Sequence, residues 1–175
     1  MQAEGVEATS PPARSEENCN RIRFFDLCVL FEKLSKTKGA EKKLSLIFSK
    51  SLKEHLKGDS VYPLLRLLLP AIDTERGKYG LKQAMIANTY VSALHLDKKS
   101  EDAVRLLNWK DPSKTQGVEL SKLITGEFGT LLEDVLKPRV RSEPSDQTIG
   151  SVNQLLDQLA NALNTEDKTT ILRQQ

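Results

Sequence analysis

The stretch 61-VYPLLRLLLPAIDTERGKYGLKQAMI-86 decides how this chain folds. From Val61 to Leu69 it is apolar nearly all round, a pattern that a central helix needs and a solvent-facing helix avoids. Ser60 precedes it as an N-cap candidate, and Pro63 falls near the first turn, where a missing N–H does no harm. Pro70 lies inside the pattern and is expected to kink or end the helix. A charged helical pattern then meets two helix-weakening residues, Gly77 and Gly80, with Lys78 and Tyr79 between them. The next helix is expected to start near Leu81 and reach Leu94, burying Ala84, Met85, Ala87, Val91 and Leu94.

The helical reading extends outward in both directions. Upstream, Phe24, Leu27, Cys28, Phe31 and Leu34 recur at spacings of three and four, one face of an amphipathic helix that Gly39 is expected to cap at its C-terminus. A second helix is predicted from Ala40 to Leu56, with Leu44, Ile47, Phe48 and Leu52 inward and a lysine-rich outer face. Downstream, Ser100 reads as an N-cap followed by Glu101 and Asp102, acids that suit the first turn. That short helix, Ala103–Leu107, gives way to the polar loop 110-KDPSKTQG-117. Helical spacing returns over 118–137, interrupted by Gly126 and Gly129, before the linker 138-PRVRSEPSDQT-148. A clean pattern follows in Ile149, Val152, Leu155, Leu156, Leu159 and Leu163, and Thr165 opens a final helix.

No useful length of sequence alternates with period two, so the expectation is an all-α fold of about eight helices with no solenoid repeat. Residues 1–20, rich in Glu, Ser and Pro, read as a disordered tail; residues 21–175 read as the helical domain, C-terminally truncated because the chain stops inside a newly capped helix. With 175 residues, 38% of them hydrophobic and 29% charged, the composition is that of a soluble domain with a core. The net charge of +2 does not by itself announce nucleic-acid binding. Two cysteines, Cys19 and Cys28, are too few for a disulfide framework and imply a reducing compartment. No signal peptide or membrane-length apolar run is visible, so an intracellular location is expected.

Common catalytic signatures are missing. His55 and His95 have no partners at metal-ligand spacing, so no metal site is expected. Cys28, on an apolar helix face, fits a small core residue better than a nucleophile. GEFG at 126–129 lacks the Lys-Ser/Thr that would make it a phosphate-cradling loop. No self-contained active site is legible, and no catalytic residue or cofactor is assigned to this chain.

The glycine turn admits two readings. If a helix starts near Leu81, its uncovered amides form a phosphate site, with Lys78 and Lys82 adding charge and Tyr79 able to pack on sugar or hydrogen-bond a phosphate. Such contacts go to backbone and carry no base-specific information. A tight interhelical turn with solvated lysines explains the same residues more simply.

Taken together and in order, 61-VYPLLRLLLPAIDTERGKYGLKQAMI-86, 102-DAVRLLNW-109, 134-DVLKPR-139 and 149-IGSVNQLLDQLA-160 resemble the N-terminal DNA-binding domain of ATP-dependent DNA ligases, most nearly the ligase IV branch. Phe24 to Cys28 resembles the start of that family's first helix, and the similarity covers roughly residues 22–165. The resemblance implies an all-helical domain of two pseudo-symmetric halves that grips the duplex backbone near a nick or end. This chain would hold the first half and the start of the second. It implies Lys78, Tyr79, Gly80 and Lys82 as DNA-facing residues, with Arg76 a weaker candidate that could instead pair with Asp73 or Glu75. Lys137, Arg139 and Arg141 form a second basic cluster that either contacts DNA or is simply solvated.

The resemblance further implies a nuclear location and a role in DNA repair and recombination, specifically double-strand break repair by non-homologous end joining. ATP and Mg are expected for a full-length ligase, whereas this chain lacks the Lys-x-Asp-Gly adenylation motif. In the ligase IV branch the first two helices also offer a groove to the Artemis nuclease. Phe24, Phe31 and Phe48 are the residues here that would line such a groove, although a core-facing stripe accounts for them more simply. The alternative function is therefore a helical protein-docking module that recruits a nuclease without significant DNA binding.

Overall fold

The computed structural model describes residues 14–111, 127–139 and 145–173. The loop expected over 110–117, most of the helical pattern expected over 118–127, Arg141 and residues 1–13 of the expected tail lie wholly or largely outside the described residues. Among the described residues the fold is all-α, as the periodicity predicts. Among these residues there are ten α-helices and one 3₁₀ turn, with no strand beyond an isolated antiparallel bridge between Arg23 and Thr148. None of these helices is long and apolar enough to cross a membrane.

The chain divides into two compact units, residues 1–73 with 145–154, and residues 74–144 with 155–175. In the first unit, α1 (Glu17–Asn20), α2 (Phe24–Lys36), α3 (Ala40–Ile47), α4 (Lys50–Leu56) and α5 (Tyr62–Leu68) precede the 3₁₀ turn Pro70–Ile72. Its core is Cys19, Leu27, Leu56, Leu64 and Ile149, with Ile22, Phe24, Leu30, Leu52, Val61, Leu67 and Leu68 packed around it. The amide of Phe24 donates to the Gln147 carbonyl at 2.7 Å and that of Ile149 to the Ile22 carbonyl at 2.8 Å. These two bonds hold the start of α9 (Ile149–Asn161) against the start of α2. Asn153, buried on α9, donates its side-chain amide to the Pro63 carbonyl at 2.9 Å, which satisfies a polar group that would be costly to bury alone.

In the second unit, α6 (Gln83–Ala93), α7 (Glu101–Leu107) and α8 (Phe128–Leu136) enclose Ala87, Val91, Ala103, Leu106, Leu131 and Val135. Ala87 and Ala103, both with no exposed surface, are small enough to let α6 and α7 approach closely. Trp109 and Phe128 close one side as a tilted ring pair with centroids 5.4 Å apart. Arg105, buried on α7, reaches Asp134 of α8 at 2.6 Å and Asp102 at 3.4 Å. The last helix, α10 (Thr165–Arg173), packs along α6, where Arg173 donates to the Ser92 hydroxyl at 2.8 Å.

Several local expectations are corrected. The tail predicted over 1–20 ends too late: Cys19 is fully buried, the Asn18 amide donates to Asp59 at 2.9 Å, and the Ser60 amide donates to the Ser15 carbonyl at 2.7 Å. Gly39 does not cap α2; at φ +95° it precedes α3 as its N-cap, and Thr37 closes α2. The helix predicted over 40–56 is two helices, because the Ser49 hydroxyl accepts from the Leu52 amide and starts α4 afresh. Leu44, expected to face inward, is exposed. Cys28 is exposed rather than in the core. On α6, Ala84 is exposed while Thr89 is buried with its hydroxyl donating to the Met85 carbonyl. Leu163 lies past the end of α9 and is 95% exposed.

Candidate nucleic-acid interface

The glycine turn lies in the second unit. Pro70 ends α5 through the 3₁₀ turn, and α6 begins at Gln83 with Lys82 as its N-cap. No side chain caps that start; the first amides to return to the helix, those of Met85 and Ile86, donate to the Lys82 carbonyl. The positive end of α6 therefore opens onto the turn, with first-turn N–H groups directed away from the helix. Gly80 has φ +60°, a left-handed conformation that costs a non-glycine residue roughly 1–2 kcal/mol. The backbone itself thus favours a glycine there.

The same turn is fixed from behind. Arg76 has a side chain only 4% exposed, and its Nε donates to Asp157 of α9 at 2.8 Å. This burial removes Arg76 from the DNA-facing candidates: its guanidinium anchors the turn. Lys78 and Lys82 are exposed, and Tyr79 is half-buried between them. Among the described residues neither lysine has an ion-pair or hydrogen-bond partner. Lys78, Tyr79, Gly80 and Lys82 are therefore presented together on one short loop.

The second predicted cluster is less free. Lys137 is exposed at the end of α8. Arg139 donates to Asp102 at 2.5 Å and to the Val135 carbonyl at 2.5 Å, so its guanidinium tethers the end of α8 to α7. A phosphate would have to compete with both acceptors.

The phenylalanines expected to line a docking groove, Phe24, Phe31 and Phe48, are not among the residues lining the groove of the first unit. In the first unit a groove of about 510 Å³ opens between α2, α3 and α4, walled by Val29, Leu30, Leu46, Ile47 and Leu52, with Arg23, Lys33 and His55 at its edge. Phe24 packs into the core instead, while Phe31 and Phe48, 37% and 38% exposed, lie outside the groove. Asp26 hydrogen-bonds Arg23 at 3.0 Å and pushes that guanidinium's pKa up further. Glu32 is lowered by its hydrogen bond to Lys36. Among the described residues no three His, Cys, Asp or Glu side chains are placed to hold a metal ion.

Sequence reasoning missed Lys168. It stands on α10, more than eighty positions from the turn, yet a β-carbon built on Gly80 would lie 3.2 Å from its Nζ. No local motif signals this approach; only the packing of α10 along α6 brings it about.

Taken together, the structure is an all-helical domain that presents a basic glycine turn at an uncapped helix start. The sequence model of the family described as "DNA ligase N terminus" matches residues 23–174, and the chain belongs to that family. It is similar to DNA ligase 4 of Homo sapiens, 34% identical over 168 residues that cover 90% of this chain and 18% of the relative. DNA ligase 4 of Arabidopsis thaliana is 35% identical over 151 residues, 86% of this chain and 12% of the relative. DNA ligase 4 of Coprinopsis cinerea is 34% identical over 176 residues, 98% of this chain and 16% of the relative. The chain thus spans less than a fifth of the length of these relatives.

Proposed function

We propose that this domain grips the duplex DNA backbone near a nick or end, independently of base sequence, for a ligase IV-like protein acting in the nucleus in non-homologous end joining. The observation that carries the reading is the turn at Gly77–Lys82. Its two exposed lysines and uncapped helix start are held in place by the buried Arg76 side chain and its bond to the half-exposed Asp157. An uncapped N-terminus offers amide donors and a partial positive charge, both suited to a phosphate oxygen. Lys78 and Lys82 add charge, and Tyr79 supplies a face for sugar or a hydroxyl for phosphate. Lys137 contributes a more peripheral contact, and Arg139 does so only by leaving Asp102. The adenylation chemistry of a ligase, with its ATP and magnesium, is proposed for residues outside this sequence, which holds no Lys-x-Asp-Gly motif.

The test is a titration of the chain with a nicked duplex at two salt concentrations, using the wild type and the Lys78→Glu, Lys82→Glu double variant. Binding should weaken with salt, and the double variant should lose affinity and show a shallower dependence, by about 0.9 in log–log slope per phosphate contact removed. Equal binding by the two proteins would remove the turn from the account.

A second reading rests on the groove of the first unit. We infer that its apolar walls fit a short segment of a repair nuclease of the Artemis type, which would make this unit a docking surface. Leu46→Asp, which alters a groove wall outside the core cluster, should abolish capture of such a segment while leaving duplex binding intact; retained capture would remove the groove from the account.

A further inference from the structure

We propose that Lys168 of α10 completes the phosphate site of the glycine turn, as a third cation supplied by a helix remote in sequence from Lys78 and Lys82. The inference rests on the backbone-gripping reading of the turn and extends it to a helix that no motif connects with it. Two observations support it. A β-carbon at Gly80 would stand 3.2 Å from Lys168 Nζ, so the ammonium lies over the one residue of the turn with a left-handed backbone. And α10 is fixed in that position: it packs along α6, and Arg173 anchors it to Ser92 at 2.8 Å.

The chemistry is additive and has a defined geometry. The uncapped start of α6 supplies amide donors, Lys82 sits at that start, and Lys168 arrives over Gly80 from a separate helix. The absence of a side chain at Gly80 then has two reasons. It permits φ +60°, and it leaves room for the lysine that covers it. A strand phosphate above Gly80 would meet a point charge from α10 and N–H groups from α6 together.

The experiment measures binding of the full chain to a short nicked DNA duplex over a range of salt, for wild type, Lys168→Gln, Lys98→Gln, and the Lys78→Gln, Lys82→Gln pair. Lys98 is exposed in the turn between α6 and α7 and controls for loss of net charge. Lys168→Gln should weaken binding and reduce the salt slope by about 0.9, the signature of one lost phosphate contact, while Lys98→Gln should not. Gly80→Ala, placed in both backgrounds, should weaken wild type more than Lys168→Gln, because in the latter no ammonium remains to be displaced. If the Lys78, Lys82 pair loses affinity but Lys168→Gln does not, or if Lys98→Gln loses as much, the role of Lys168 is overturned and the turn's role stands. If none of the variants differs from wild type, or wild type shows no salt-dependent binding, both are overturned.

Discussion

Replacing Gly150 with alanine sets helix propensity directly against tertiary packing. Gly150 is the second residue of α9, and a β-carbon there would lie 2.9 Å from Asn20 Cβ, 3.1 Å from the Asn20 carbonyl oxygen and 3.2 Å from Asn20 Cγ. Propensity favours alanine over glycine in a helix by about 0.8–1.0 kcal/mol, and by less in a first turn. Overpacking of a close contact costs about 1–3 kcal/mol. The cost should fall in the upper part of that range, because two of the three atoms met are a β-carbon and a backbone oxygen, not the end of a flexible side chain. Nor can α1 simply retreat. Cys19 beside Asn20 is fully buried, Asn18 is hydrogen-bonded to Asp59 at 2.9 Å, and the Ile149 amide is bonded to the Ile22 carbonyl at 2.8 Å.

The expected net effect is a loss of about 1–2 kcal/mol, once the propensity gain is set against the overpacking cost. With a urea m-value of about 1–3 kcal/mol/M, the unfolding midpoint should fall by several tenths of a molar or more at unchanged slope. Gly129 is the matched control. It is also the second residue of its helix, α8, but a β-carbon there meets nothing within 4 Å. Gly129→Ala should therefore hold or raise the midpoint. A Gly150→Ala midpoint equal to or above wild type would refute the argument that packing outweighs propensity at this junction.

Other consequences follow from the same structure. Leu106→Ala, at a core position with no exposed surface, should cost about 2–5 kcal/mol in urea unfolding. Asp157→Asn leaves the Arg76 guanidinium, only 4% exposed, without its charged acceptor on α9; because Asp157 is itself 36% exposed, the loss should stay below the roughly 3–5 kcal/mol of a fully buried pair. A disulfide reagent should titrate one thiol, Cys28, in the folded chain and both thiols in denaturant, since Cys19 is buried. Burial pushes the Cys19 thiol above its ordinary value of 9.0, against a smaller opposing pull from its hydrogen bond with the Leu64 backbone. The neutral thiol is thus favoured in the folded state, and its contribution is present below that ordinary value and lost as pH rises through the raised one. Unfolding midpoints should decline on entering the alkaline range, and Cys19→Ala should flatten the decline.

The helical class was legible because period-three-and-four spacing is set by the backbone and needs no tertiary information. Ser100 as an N-cap and Pro70 as a terminator were likewise readable, since their effects are local. Helix boundaries that depend on competing caps were not: Gly39 starts α3 where it was expected to end α2, and Ser49 starts a helix inside a stretch expected to be continuous. Residues 14–20 look like tail because they contain almost nothing apolar. They are held instead by backbone bonds to the segment around Asp59 and by one buried sulfur.

The family motifs proved informative about architecture more than about contact. Asn153 satisfies the Pro63 carbonyl, Asp157 holds Arg76, and Arg66 pairs with Asp73 at 2.8 Å. Asn153 and the Arg66–Asp73 pair belong to the scaffold of the first unit, and Asp157 to that of the second, where it holds the turn through Arg76. The residues left facing outward, Lys78 and Lys82, are ones that sequence alone could equally read as solvated, and Lys168 could be placed only by folding α10 onto α6.

The most direct test of the central claim is a map of backbone amide chemical shifts during titration of the chain with a nicked duplex. The account predicts the largest changes from Gly77 to Ala84, centred on Gly80 and the uncapped start of α6, with a further response at Lys168. Changes confined to α2–α4, or none in the turn at saturating DNA, would contradict it.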